Sequence, residues 1–470
     1  MIQQRSLINV FLFKLFVFAL SLGRFIELPF GDFYAQVVPH FSTSVMFVGF
    51  SLLILRQARI IDVNVLPFVK FWRFSVIYTV LVCTFLSVLY ILGFANGIDP
   101  VGWNIEIPYR AMMRDMVFWG CCIMSLLYSY YNLRYVVQFG ELKGVIEWSI
   151  LAILFVGLLQ FGVLNGNGLC AVIYFGLGSV FKLVDLIQIG MLERGICFWG
   201  SEPASASMLC MFVLPFSIIT FFKSKGWRKV RFFIYVALFL FLLLNSGSSS
   251  TLITSVLVLI CAILYIIKGS IKKWMYTVTF SMGLTIAVLY MIDIDVNNNA
   301  VLADKDSVEY IILGKLVDKE NGSTAMRVST LCNDMKIFMS YPITGVGNGC
   351  QGYFYKYNIP DWVKFSDEVQ NVIAYGTGSI ANGGGNFFAS YISGYGIIGI
   401  FVLWSFIKQY RIRLRYSNIY YDPVSDFTFS VCIIVFLLAG WYVQSIEDNK
   451  LMFMLALGCV PYKNALKKNL

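Results

Sequence analysis

Val145-Ile146-Glu147-Trp148-Ser149-Ile150-Leu151-Ala152-Ile153-Leu154-Phe155-Val156-Gly157-Leu158-Leu159-Gln160-Phe161-Gly162-Val163-Leu164 carries one charged residue, Glu147, near its start. A helix of that length crosses the roughly 30 Å hydrocarbon core of a bilayer. Comparable apolar runs recur at roughly 6–23, 38–55, 74–95, 112–131, 205–222, 231–245, 251–267, 274–292, 386–407, 427–445 and 450–462. They predict an all-α polytopic membrane protein with about 12 transmembrane helices, or 10 to 12, because the last run is short and the first contains Lys14. Composition agrees: 59% hydrophobic, 17% aromatic and only 13% charged residues lie outside the range of soluble globular chains. The expectation is a single membrane domain over residues 1–470.

Basic residues alternate from loop to loop when these runs are threaded through a membrane. Arg56, Arg59, Lys70 and Arg73 fall on one side with Lys223, Lys225, Arg228, Lys229 and Arg231. Lys268, Lys272, Lys273, Lys408, Arg411, Arg413, Arg415, Lys463, Lys467 and Lys468 join them. The positive-inside rule makes that side cytoplasmic, with both termini there. The net charge of +10 is therefore a topology signal dispersed at helix ends and predicts no nucleic-acid partner. The first run lacks a small-residue cleavage site and is followed by Arg24-Phe25-Ile26-Glu27, so it reads as a retained span. Of the eleven cysteines, Cys170, Cys197, Cys332 and Cys350 map to the outer face, where pairing is open to them. Their spacings fit no metal template, and His40 is the only histidine, so neither a metal cofactor nor a Ser-His-Asp triad is expected.

Two outer segments exceed ordinary connection length, 165–204 and the large exoplasmic loop 293–385, which is expected to contain short helices. In the first, Val180, Phe181, Leu183, Val184 and Ile187 recur at helical spacing, predicting an amphipathic helix at the interface. Arg194, Glu193 and Glu202 follow it, flanked by glycines. In the second, Val328, Leu331, Met335 and Phe338 predict a helix capped by Ser323-Thr324 and stopped by Pro342. That places Arg327 in the first turn, beside free N–H groups that favour an anion such as phosphate. Gly345 and Gly347 permit close approach to a ligand, although glycines at such spacing also simply form turns. Arg194 and Arg327 likewise have a plainer reading as partners of carboxylates or lipid headgroups.

The ordered series Arg194, Phe198 through Pro203, Asn245-Ser246-Gly247-Ser248-Ser249-Ser250, Arg327, Tyr341-Pro342-Ile343-Thr344-Gly345-Val346-Gly347, Gly385-Asn386-Phe387-Phe388 and Gly394-Tyr395-Gly396-Ile397-Ile398-Gly399 resembles the O-antigen polymerase and ligase superfamily, and most closely its Wzy-type polymerases. The resemblance implies a membrane glycosyltransferase without cofactor. Such an enzyme takes oligosaccharide repeat units on undecaprenyl pyrophosphate at the outer leaflet of the bacterial cytoplasmic (inner) membrane and joins them into surface polysaccharide. On it, Arg194 and Arg327 bind the substrate pyrophosphate, Glu202 or Asp334 orients or deprotonates the acceptor hydroxyl, and Gly345, Gly347 and Asn386 form the substrate loop. It further suggests a chain-length regulator as a protein partner, beside membrane lipids. Gly385 stands where ligases and many polymerases carry a histidine, which tilts the expectation towards polymerase. A ligase and a lipid-linked sugar flippase remain alternatives; the latter is disfavoured by the lack of an internal repeat and the few ionisable residues within the runs.

Overall fold

The computed structural model describes residues 6–22, 41–56, 58, 60–62, 65–91, 106–181, 195–199, 206–246, 248–268, 322–347, 351–364, 366–375, 387–417, 423–439 and 449–460. Among these the chain is helical throughout, without strands. The order is α1 (Leu7–Ala19), α2 (Phe41–Leu55), α3 (Leu66–Ile91), α4 (Glu106–Tyr135), α5 (Phe139–Leu164), α6 (Gly168–Phe181), α7 (Ala206–Lys223), α8 (Gly226–Leu244), α9 (Ser249–Lys268), α10 (Gly322–Ser340), α11 (Tyr355–Asn358), α12 (Asp367–Tyr375), α13 (Phe387–Ser417), α14 (Pro423–Ala439) and α15 (Asn449–Cys459). Every predicted apolar run falls on one of these helices except 274–292, which lies outside the described residues. Phe139–Leu164 is long and apolar enough to cross a membrane, as is Phe387–Tyr410 when counted across its break at Gly396.

One apolar core joins helices from both ends of the chain. Phe13, Phe16 and Tyr128 meet edge to face, and Phe453 of the last helix packs against Phe13 and Phe212. Helix ends pair in two sets. Arg56 donates to Asn9, Arg134 binds Asp62 at 2.6 Å, and Arg231 binds Glu147 at 2.6 Å. At the opposite ends, Asn449 donates to Ser42 and Thr43 at 3.1 and 2.8 Å, and the Ile196 N–H reaches the Asn245 carbonyl.

The segment 165–204 is more than a surface loop. Gly166, at φ +76°, reverses the chain after α5, and α6 packs back along it, close enough that a Cβ on Gly162 would lie 2.4 Å from the Cys170 sulfur. Of the predicted amphipathic helix, only Val180 and Phe181 are described, as the end of α6. The chain reappears at Gly195–Trp199 inside the core, where the Phe198 ring is fully buried and packs against Phe239. Non-helical backbone at such depth needs every polar group matched. Gln160, 1% exposed, matches three of them: its Oε1 accepts from the Cys197 and Phe198 N–H groups at 3.1 and 2.7 Å, and its Nε2 donates to the Phe198 carbonyl at 2.7 Å.

Phe198 itself sits at φ +54°, a conformation disfavoured for a bulky residue and retained only where neighbours over-determine it. Gln160→Leu preserves volume but strands three backbone groups, at a cost of about 1–3 kcal/mol for each unsatisfied one. A melting temperature lowered by several degrees in detergent is the expected outcome; an unchanged value rejects the clamp. Cys170, Cys197 and Cys332 form no disulfide, and Cys350 lies outside the described residues.

Candidate functional site

The two motif-bearing segments nearest the C-terminus meet at a break in α13. Gly396 adopts φ 59°, ψ −157°, which no helix tolerates, and divides α13 into two parts. The kink is sharp: the Tyr391 hydroxyl reaches the Gly399 carbonyl at 3.1 Å, although eight residues of straight helix rise about 12 Å. Breaking a helix strands carbonyls before the break and N–H groups after it. The turn 342–347 takes up both sets. Val346 and Gly347 donate to the Ser393 and Gly394 carbonyls at 3.0 and 2.9 Å, while Ile397 and Ile398 donate to the Pro342 and Ile343 carbonyls at 2.8 and 3.4 Å.

This close approach explains the glycines. A Cβ on Gly345 would lie 2.5 Å from the Ser393 carbonyl oxygen, and one on Gly396 would lie 2.4 Å from that of Ile343. The face of Gly345 is therefore filled by the backbone of α13, which makes it a packing glycine rather than an open cradle for ligand. Tyr78 of α3 holds the same turn by donating to the Thr344 carbonyl, and Thr79 meets Tyr395 at 3.1 Å. Gly347, at φ +86°, completes the turn.

Above the break stands α10. It begins at Gly322, so Ser323 and Thr324 lie within the helix and Arg327 falls in the second turn, one turn further in than its sequence position predicted. The free N–H groups belong to the first turn. Arg327 is half-buried, one turn in from that positive end. Asp334 shares the face of Arg327, since seven residues turn through 700°, and lies about 10 Å along the axis.

Asp334 is enclosed at 1% exposure. Ser390 Oγ donates to its Oδ2 at 2.9 Å and Ser393 Oγ to its Oδ1 at 3.0 Å. Among the described residues, both carboxylate oxygens of Asp334 are thus taken up by serine hydroxyls. The sequence signal for the two serines is Ser390-x-x-Ser393, an i, i+3 polar pair in the apolar first half of α13. The network continues through Gln351, fully buried, whose Nε2 donates to the Ser390 carbonyl at 3.1 Å. Asn333 donates to the Gln351 carbonyl at 3.0 Å, and Asn358 donates to Asn333 at 3.1 Å. Arg194, Glu202 and Asn386 lie outside the described residues.

Burial pushes the Asp334 carboxyl up from 3.8 to about 7, against the opposing pull of the two serine hydroxyls. The folded chain thus holds this proton more tightly than the unfolded one. Stability is fully present below about pH 4, falls as pH rises, and levels off above about pH 7. Melting in detergent is expected at a lower temperature at about pH 8 than at about pH 5, with Asp334→Asn flattening the difference. Equal slopes in the two proteins would reject the assignment. No family model and no curated protein matches this chain.

Proposed function

We propose that this chain is a multi-pass glycosyltransferase that polymerises oligosaccharide repeat units carried on undecaprenyl pyrophosphate, at the outer leaflet of a bacterial cytoplasmic membrane. On this reading about twelve helices cross the bilayer, both termini are cytoplasmic, and residues 293–385 lie outside. The observation that carries it is the joining of Tyr341–Gly347 to Gly394–Gly399, backbone to backbone, at a break in an apolar helix. These are two segments of the resemblance that are remote in sequence, and broken helices with satisfied backbone are a recurrent way of building a site within a membrane.

The reaction displaces lipid pyrophosphate from an anomeric carbon. Negative charge grows on the departing phosphate oxygens, and arginine forks stabilise it without a metal. Arg327 and Arg194 take that role. The growing chain moves onto the non-reducing-end hydroxyl of a new lipid-linked unit, whose proton passes to a carboxylate; on this reading Glu202 is that base and the enclosed Asp334 serves orientation. Gly347 and Asn386 belong to the substrate loop, and a chain-length regulator is the expected protein partner.

Deleting the gene and resolving surface polysaccharide on a gel tests the reading. Loss of the ladder with single-repeat species retained supports a polymerase. Polymer accumulating on its lipid carrier indicates a ligase instead. Purified protein that moves lipid-linked units between leaflets without lengthening them indicates a flippase.

A further inference from the structure

Asp334 is buried, doubly hydrogen-bonded and enclosed, yet it lies on the face of the helix that carries Arg327. We propose that Asp334 is a positioning residue: with Ser390 and Ser393 it sets the rotation of α10 about its axis and so aims Arg327 at the lipid-linked pyrophosphate. This rests on the pyrophosphate-binding reading of Arg327 given above.

A helix packed only through apolar side chains can roll at little cost, because dispersion contacts are many and individually weak. A carboxylate held through both oxygens by two hydroxyls one turn apart cannot. Ser390 and Ser393 present that pair, and the single Ser393 hydroxyl proton is shared between Asp334 and the Ser390 carbonyl, 3.1 Å away. The same Ser390 carbonyl is held by Gln351, whose own carbonyl accepts from Asn333 beside Asp334. The mount is thus closed into a ring of side chains from α10, the turn at Gln351–Phe354 and α13. A second mount lies at the other end of α10, where the turn after Tyr341 is stapled to the helix break.

The leverage is large. A roll of about 20° displaces a side-chain tip 5–6 Å from the helix axis by about 2 Å. Misplacing a binding group by about 1 Å is enough to cost on the order of 100-fold in rate. Arg327 lies two turns beyond the carboxylate mount and on the side of α10 away from the staple, so its aim depends on that mount.

The test is steady-state kinetics of the purified full-length protein in detergent, with undecaprenyl pyrophosphate bearing the host's repeat unit as substrate. Binding of sugar-free undecaprenyl pyrophosphate is titrated alongside. Asp334→Ala and the double variant Ser390→Ala/Ser393→Ala are expected to raise the Kd for the sugar-free lipid about 10-fold or more and to lower kcat/KM about 10- to 100-fold, with the loss shared between KM and kcat as for Arg327 itself. Asp334→Asn, which keeps one acceptor and gains a donor for the second serine, is expected to recover most of that loss.

If Asp334→Ala fails to accumulate, the serine pair and Asp334→Asn carry the comparison. A kcat lowered about 100-fold in Asp334→Asn with KM unchanged makes Asp334 a base and overturns the proposal, as do unaltered KM and Kd in every variant. Wild-type protein that neither lengthens the substrate nor binds the lipid pyrophosphate instead rejects the reading of Arg327 on which the proposal rests.

Discussion

Arg327→Gln abolishes the polysaccharide ladder while single-repeat species persist, with chain extension by the purified protein reduced about 100-fold or more. Removing one partner of a desolvated, hydrogen-bonded charge pair costs about 2–5 kcal/mol, and about 2.7 kcal/mol already amounts to 100-fold. Charge-assisted, bidentate contacts of the guanidinium–phosphate kind are the strong ones, which places the loss towards the upper part of that range. Arg327→Lys keeps the charge but not the planar fork, and is expected to fall between, at about a 10-fold loss. The effect belongs in both KM and kcat, since charge on the leaving phosphate grows towards the transition state. Immunoblots of membranes separate loss of function from loss of protein. A normal ladder in Arg327→Gln at normal abundance removes Arg327 from the site.

What the sequence disclosed, and what it withheld, follows from the range of each physical signal. Apolar runs are local, and a run such as 145–164 needs only its own residues to demand a helix, which α5 provides. The stop of α10 before Pro342 is equally local, because the proline ring blocks the next turn wherever the chain lies. The start of α10 is set by tertiary support, and there Ser323-Thr324 misled: these residues cap helices often, but here they are taken inside one.

The site itself is non-local. Asp334 lies 56 and 59 positions from Ser390 and Ser393, and nothing in the run Phe387-Phe388-Ala389-Ser390-Tyr391-Ile392-Ser393 announces a carboxylate partner. Gly345 and Gly396 show the same limit from the other side. Each was visible as a glycine in a motif, but that they face each other across a helix break depends on contacts the pattern does not contain. The clamp by Gln160 was invisible because a single glutamine in an apolar run reads as a tolerated polar residue, and its partners lie 37 and 38 positions away.

Gly396→Val is expected to remove the folded protein altogether, and Gly396→Ala to lower both melting temperature and activity severely. Two costs add at this position. The backbone sits at φ 59°, ψ −157°, a region essentially confined to glycine, where any other residue costs about 1–3 kcal/mol for the backbone alone. The added Cβ then meets the Ile343 carbonyl oxygen at 2.4 Å and the Gly345 nitrogen at 2.7 Å, both backbone atoms that cannot swing aside. Relief requires the turn 342–347 to withdraw from α13. That leaves the Ser393 and Gly394 carbonyls and the Ile397 and Ile398 N–H groups without partners, each costing roughly 2 kcal/mol or more in an apolar setting. Withdrawal also pulls on α10 through Pro342, so Arg327 loses its aim even in molecules that stay folded. Gly120, inside α4, provides the control: nothing lies within 4 Å of its added Cβ, and Gly120→Ala should be neutral or stabilising by up to about 1 kcal/mol. A Gly396→Ala protein that melts and extends chains like wild type would mean that the break in α13 is not the joint on which the site is built.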